Sequence, residues 1–231
     1  MVDSGKRRKA SYRDVMDAPP WMVAEIIAGE LYLSPRPAFP HARAITGLLS
    51  LLHSPPDRGI DGPGGWFFLL EPEIHLGRNV VVPDIAAWRR DRMPDLQAKL
   101  TTLPPAWVCE GLSRSTARHD RTRKLPLYAR YGVELAWLLS ATEWRLEVYG
   151  VTDGQYKLVQ LFADDEAIRA QPFEDIELRL DSIATLPSRV SESPLAYGER
   201  MIIRGDRAFE VIRRGILPRG RRPRTQSSTF A

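Results

Sequence analysis

The spacing of apolar residues along the chain changes several times, and each change marks an element. Two apolar runs flank Ala28-Gly29 in "EIIAGELYLSP" (Glu25 to Pro35), which predicts a short hairpin with its turn at that pair. In "HARAITGLLSLLHS", Ile45, Leu48, Leu49 and Leu52 follow the i, i+3, i+4, i+7 spacing of an amphipathic helix. The Pro and Gly density of "SPPDRGIDGPGG" marks a loop. "WFFLLEPEIHL" and "NVVVPDIAAW", joined by "GRN", predict a hairpin or adjacent antiparallel strands. "RRDRMPDLQAKLTTLPP" is expected to be an exposed connection and "AWVCEGL" a short buried strand. "SRSTARHDRTRKLPLYARYG" opens on cap-type residues and closes at Gly132, so it is expected to be a helix, bent where Pro126 lacks a backbone donor. "VELAWLLS", "WRLEVYG" and "GQYKLVQLF" complete a run of strands, with turns at "ATE" and "VTDG". The sum is an α/β sheet with antiparallel parts and few helices.

Against this pattern Glu110 is out of place. It interrupts the apolar strand "AWVCEGL", where an unpaired carboxylate would cost several kcal/mol of desolvation. Period-two alternation puts Val108, Glu110 and Leu112 on one side, and likewise Val82, Asp84, Ala86 and Trp88 in "VVVPDIAAW". If the two strands are neighbours, their carboxylates converge, and one divalent cation between them would make their burial tolerable. On the following helix Asp120 and Lys124 stand at i, i+4, with Tyr128 a further turn along, so the lysine can project toward the acids. Two acids with a lysine nearby are the equipment of metal-dependent phosphodiester hydrolysis, with Mg²⁺ or Mn²⁺ as the ion. Glu30, beside Gly29, is a candidate further acid. Ser113 either caps the helix or lies by the site. His41 and His75 are expected to be cap or surface residues, and Trp107, Tyr128 and Trp137 to be core.

Composition narrows the alternatives. The 231 residues, 43% hydrophobic, suit one domain with appendages. No apolar run approaches the roughly 20 residues of a membrane span, and the N-terminus lacks a signal-type apolar stretch, so a soluble, cytoplasmic protein without a membrane partner is expected. Cys109 is the one cysteine, which excludes an internal disulfide and cysteine-rich zinc sites. The net charge of +4 is uneven: residues 1–10 carry +3, residues 201–231 carry +6 and the body between carries −5. Basic ends can add sequence-independent attraction to phosphates, or simply solubilise.

The runs "VVPDIAAWRR" and "WVCEGLSRSTARHDRTRKLPLYARYGVELAWLL", with "IIAGELYLSPRP" and "EPEIHLGRNVVVPD" upstream, resemble the Uma-type restriction endonuclease family, a branch of the PD-(D/E)XK nuclease superfamily. The likeness runs from about Glu25 to Asp181. It implies a restriction-endonuclease-like core, a mixed central sheet flanked by helices, with Asp84 and Glu110 as metal ligands. Leu112 holds the place of the usual strand lysine, so the resemblance assigns that role to Lys124, with Asp120 beside it. Gly111, Arg114 and Ser140 depart from the family pattern. The expected organisation is a basic, flexible N-terminus (1–20), a nuclease-like domain carrying the N-terminal hairpin (21–187) and a basic extension of unassigned fold (188–231). The expected activity is Mg- or Mn-dependent endonucleolytic hydrolysis of DNA, for which a homodimer would suit both strands of a duplex. The alternative is a catalytically silent nuclease-fold module that binds nucleic acid or a protein partner.

Overall fold

The computed structural model describes residues 8–53, 57, 64–113, 115–164, 166–184 and 201–202. Most of both basic ends, and the expected loop at 54–65 except Asp57, Gly64 and Gly65, lie outside the described residues. Of the stretch expected to be flexible, residues 12–16 form helix α1 (Tyr12–Met16), where Asp14 accepts a hydrogen bond from the Ser11 backbone N–H and pairs with Arg8.

The first hairpin forms where the sequence places it. Strands β1 (Met22–Ile27) and β2 (Glu30–Pro35) pair antiparallel, and Ala28 and Gly29 both have positive φ, the mirror-type turn that suits the twist of paired strands. Helix α2 (Phe39–Leu52) starts two residues before the expected stretch and buries Ile45, Leu48 and Leu52.

The next two apolar runs do not make one hairpin. Each is broken by its Pro-acid segment and divided between two sheets. "WFFLLEPEIHL" yields β3 (Trp66–Leu70) and β4 (Ile74–Leu76), and "NVVVPDIAAW" yields β5 (Asn79–Val81) and β6 (Ile85–Arg89). β4 pairs with β5 across Gly77-Arg78, whereas β3 pairs with β6 in the other sheet. Pro72 and Pro83 cannot donate to a ladder, so pairing stops there and the chain crosses from one sheet to the other. The connection 90–106 is less exposed than expected: Pro94 is buried, and Thr101 bridges to Ile74.

Strand β7 (Trp107–Gly111) is buried at every position and runs parallel to β8 (Leu135–Ser140). A parallel pair needs a crossover, and residues 117–130 supply it as one helical segment. It comprises α3 (Ala117–His119), a π-helical turn at Asp120–Lys124 and α4 (Leu125–Arg130). Without an N–H, Pro126 cannot close an α-helical bond back to Thr122, and the irregularity takes the form of the wide turn just before it. Strands β9 (Arg145–Thr152) and β10 (Gln155–Ala163) complete the meander, followed by α5 (Leu180–Ala184) and β11 (Met201–Ile202).

The six-stranded sheet has the order β10-β9-β8-β7-β6-β3 and the five-stranded sheet β11-β2-β1-β5-β4. One core lies between α2, α5 and one face of the six-stranded sheet, around Trp66, Trp107, Trp137 and Phe173. The other face carries Ala86, Trp88, Val108 and Leu138, and packs against α4 and the five-stranded sheet. Among the described residues no helix is long and apolar enough to cross a membrane.

On β9, Glu147 accepts hydrogen bonds from Arg121 at 2.6 Å and Tyr149 at 2.7 Å. Burial pushes its carboxyl up, but these partners prevail and hold it below the usual glutamate range. A depressed folded-state pKa contributes stability that is full above the unfolded value and lost as the pH falls through the folded one. Glu147→Gln is therefore expected to destabilise by about 1.5–3 kcal/mol near neutral pH. The gap to wild type should narrow on acidification, as read from urea unfolding across pH 3–7; a gap constant with pH would contradict the assignment.

Candidate active site

The register of β6 on β7 pairs Ile85 with Cys109. The next pair outward, Asp84 and Glu110, therefore lies at the same end of the six-stranded sheet, the C-terminal end of β7, where ligands of α/β sheets commonly bind. Asp84 stands just before β6, in the crossing between sheets, not on the strand face with Val82, because Pro83 ends the pairing. Glu110 is within β7 and buried. Both line a cavity of about 140 Å³, which Glu25, His41, Asp120 and Lys124 also line.

Lys124 answers the question that Glu110 poses. The π turn brings its ammonium 2.7 Å from Glu110 Oε1 and 3.0 Å from Glu25 Oε1, with the Val82 carbonyl at 3.5 Å. Burial alone would lower the lysine pKa, but Glu110, Glu25 and Asp120 outweigh it and hold the group above its ordinary value, so Lys124 is the ammonium of the cluster. Tyr128 donates to the same Glu110 oxygen at 2.6 Å, and Glu25 also accepts the Val82 backbone N–H at 2.9 Å. Lys124 thus ties β1 of one sheet to β7 of the other. Burial holds the Glu110 carboxyl well above the usual glutamate range; Lys124 opposes this without reversing it, while Asp120, Asp84 and Glu25 add to it.

Asp84 is held at both oxygens. Oδ1 lies 2.9 Å from His41 Nε2, and Oδ2 accepts the Gly111 backbone N–H at 2.7 Å. Ser113, on the cavity wall, accepts the Thr116 backbone N–H at 3.1 Å and fixes the entry to α3. At the rim, Arg36 pairs with Glu71 at 3.0 Å.

The structure therefore brings together Asp84, Glu110, Ser113, Asp120 and Lys124. It does not bring in Glu30, which is exposed at the far tip of the hairpin and accepts from Tyr32 at 2.6 Å. The acid that the first hairpin contributes is Glu25. His41, expected to be a cap or surface residue, lines the cavity instead. His75 pairs with Glu73 away from the cavity. Trp107 and Trp137 are core, while Tyr128 is both core and site.

Glu25, Asp84, Glu110 and Asp120 line one cavity with Lys124, and a group of four acidic side chains beside one ammonium suits a cation. Among the described residues no group of three or more His, Cys, Asp or Glu is arranged to hold a metal ion. The oxygen-only pair Asp84 and Glu110 nonetheless fits Mg²⁺ or Mn²⁺, because Mg²⁺ keeps several waters and uses one or two carboxylates.

The fold is similar to the crystal structure of "a putative nuclease belonging to DUF820" from Anabaena variabilis ATCC 29413, with a TM-score of 0.62 and 20% identity, over 75% of this chain and 97% of that one. No curated protein matches the chain. Residues 11–181 match the family described as "Uma2: Putative restriction endonuclease", which takes in both sheets except β11 and every residue lining the cavity, and the chain belongs to that family.

Proposed function

We propose that this chain is an endonuclease that hydrolyses DNA phosphodiester bonds with the help of a divalent cation. The observation that carries the reading is the convergence of Asp84 and Glu110 on one cavity with Lys124 Nζ 2.7 Å from Glu110. Asp84 and Glu110 would hold the ion. When bound, Mg²⁺ or Mn²⁺ supplies Lewis-acid polarisation of the scissile phosphate and makes water easier to deprotonate. Lys124, a fixed positive charge at the base of the cavity, opposes the negative charge that grows on the phosphate during attack. Glu25 and Tyr128 keep the ammonium and the Glu110 carboxylate in place, so little reorganisation accompanies the reaction. Arg36, half in solvent at the rim, would meet the DNA backbone. We assign the same role to the basic ends, and two copies of the chain would address both strands of a duplex.

Metal binding by the folded state is testable without DNA. At a concentration of one hundred times its dissociation constant, Mn²⁺ should stabilise the wild type by about 2.7 kcal/mol. Asp84→Asn should lose most of that gain while folding without metal as the wild type does. An equal gain in both proteins would remove Asp84 from the metal site.

A further inference from the structure

The carboxylate of Asp84 has a built-in clamp whose two jaws come from different elements. One is the backbone N–H of Gly111 on β7, and the other is the imidazole of His41 on the first turn of α2. An ionised carboxylate only accepts hydrogen bonds, so Nε2 of His41 carries the proton shared with Asp84. The His41 side chain is only 17% exposed, so the ring has little freedom to leave. Gly111 gives it room. A Cβ built on Gly111 would lie 2.7 Å from His41 Cε1 and 3.0 Å from Nε2, closer than side-chain carbons approach a neighbouring ring. The glycine has an ordinary strand position in β7, and its missing side chain is filled by the imidazole.

We propose that His41 is a positioning residue that fixes the orientation of the Asp84 carboxylate, and that Gly111, lacking a side chain, leaves the imidazole the place it takes beside Asp84 in this chain. This inference rests on the nuclease reading above, in which Asp84 is a ligand of the ion. Partners that orient a ligating group typically contribute 10–100-fold to metal affinity or activity. Aspartate with both oxygens held presents one geometry to the ion; with the imidazole gone it can rotate away from Glu110.

The test combines His41→Ala, His41→Gln, Gly111→Ala and the double variant His41→Ala/Gly111→Ala. The measurements are Mn²⁺ affinity by calorimetry without DNA, kcat and KM on plasmid DNA, and unfolding without metal. His41→Ala should lower Mn²⁺ affinity and kcat by about 10–100-fold with KM for DNA unchanged. His41→Gln, whose amide N–H reaches about as far as Nε2, should restore most of the loss. Gly111→Ala should mimic His41→Ala, and the double variant should be no worse than either, since both break the same contact. Wild-type Mn²⁺ affinity and kcat in His41→Ala, or losses in the two single variants that multiply in the double, would overturn the inference alone. A wild type that neither binds Mn²⁺ nor cuts would overturn the nuclease reading and this inference with it.

Discussion

Replacing Lys124 by methionine should destabilise the protein by about 3–5 kcal/mol, the usual effect of removing one partner of a buried ion pair. The reason is geometric. The lysine is buried, and its ammonium is the shared partner of Glu110 at 2.7 Å and Glu25 at 3.0 Å. Methionine fills much of the same volume, so packing changes little, but it leaves two carboxylates in a buried site with no counter-ion. Urea unfolding measures this directly. The folded variant should also cut DNA about 10²–10³-fold more slowly, as expected when one fixed charge aimed at the transition state is lost. Added Mn²⁺ should recover part of the stability, because a cation near Glu110 replaces some of the missing charge. A Lys124→Met protein as stable as the wild type would contradict the cluster as described.

Glu110→Gln should act on chemistry with little effect on folding. The amide oxygen of glutamine can still accept from Tyr128, which donates at 2.6 Å in the wild type, and Lys124 keeps Glu25 as its charged partner. What goes is one of the two carboxylates proposed to hold the ion. Cleavage should fall by at least about 10²–10³-fold at saturating Mg²⁺, with the unfolding midpoint in EDTA close to that of the wild type. Comparing the two substitutions separates structure from catalysis: Lys124→Met should move both readouts, Glu110→Gln essentially one.

Much of the architecture could be seen in the sequence because local chemistry and the fold agree there. The Ala28-Gly29 turn, the apolar stripe of α2 and the buried strand β7 each follow from spacing and turn residues alone. The division of the runs around Pro72 and Pro83 could not, since apolar residues on either side look continuous whether they belong to one sheet or two. The wide turn at Asp120–Lys124 was also hidden: Pro126 announces an irregularity, not its form. At the site, the signal that singled out Glu110 was an acid inside an apolar strand. Glu25 in "VAEII" carries the same signal, whereas Glu30 sits next to the turn but at its exposed end. His41 stands four residues before Ile45 and so shares the buried stripe of α2, which distinguishes it from a surface histidine. Gly111 stands out in the sequence only as a departure from the family pattern; the position of the imidazole gives its smallness a purpose.

Whether Asp84 and Glu110 serve a metal-dependent nuclease is decided by cleavage of supercoiled plasmid by wild type beside Glu110→Gln, in Mn²⁺, Mg²⁺ and EDTA. Nicking or linearisation by the wild type is expected in either metal, none in EDTA, and near-complete loss in Glu110→Gln. Plasmid left intact by the wild type in every condition, or cut equally by Glu110→Gln, would contradict that role.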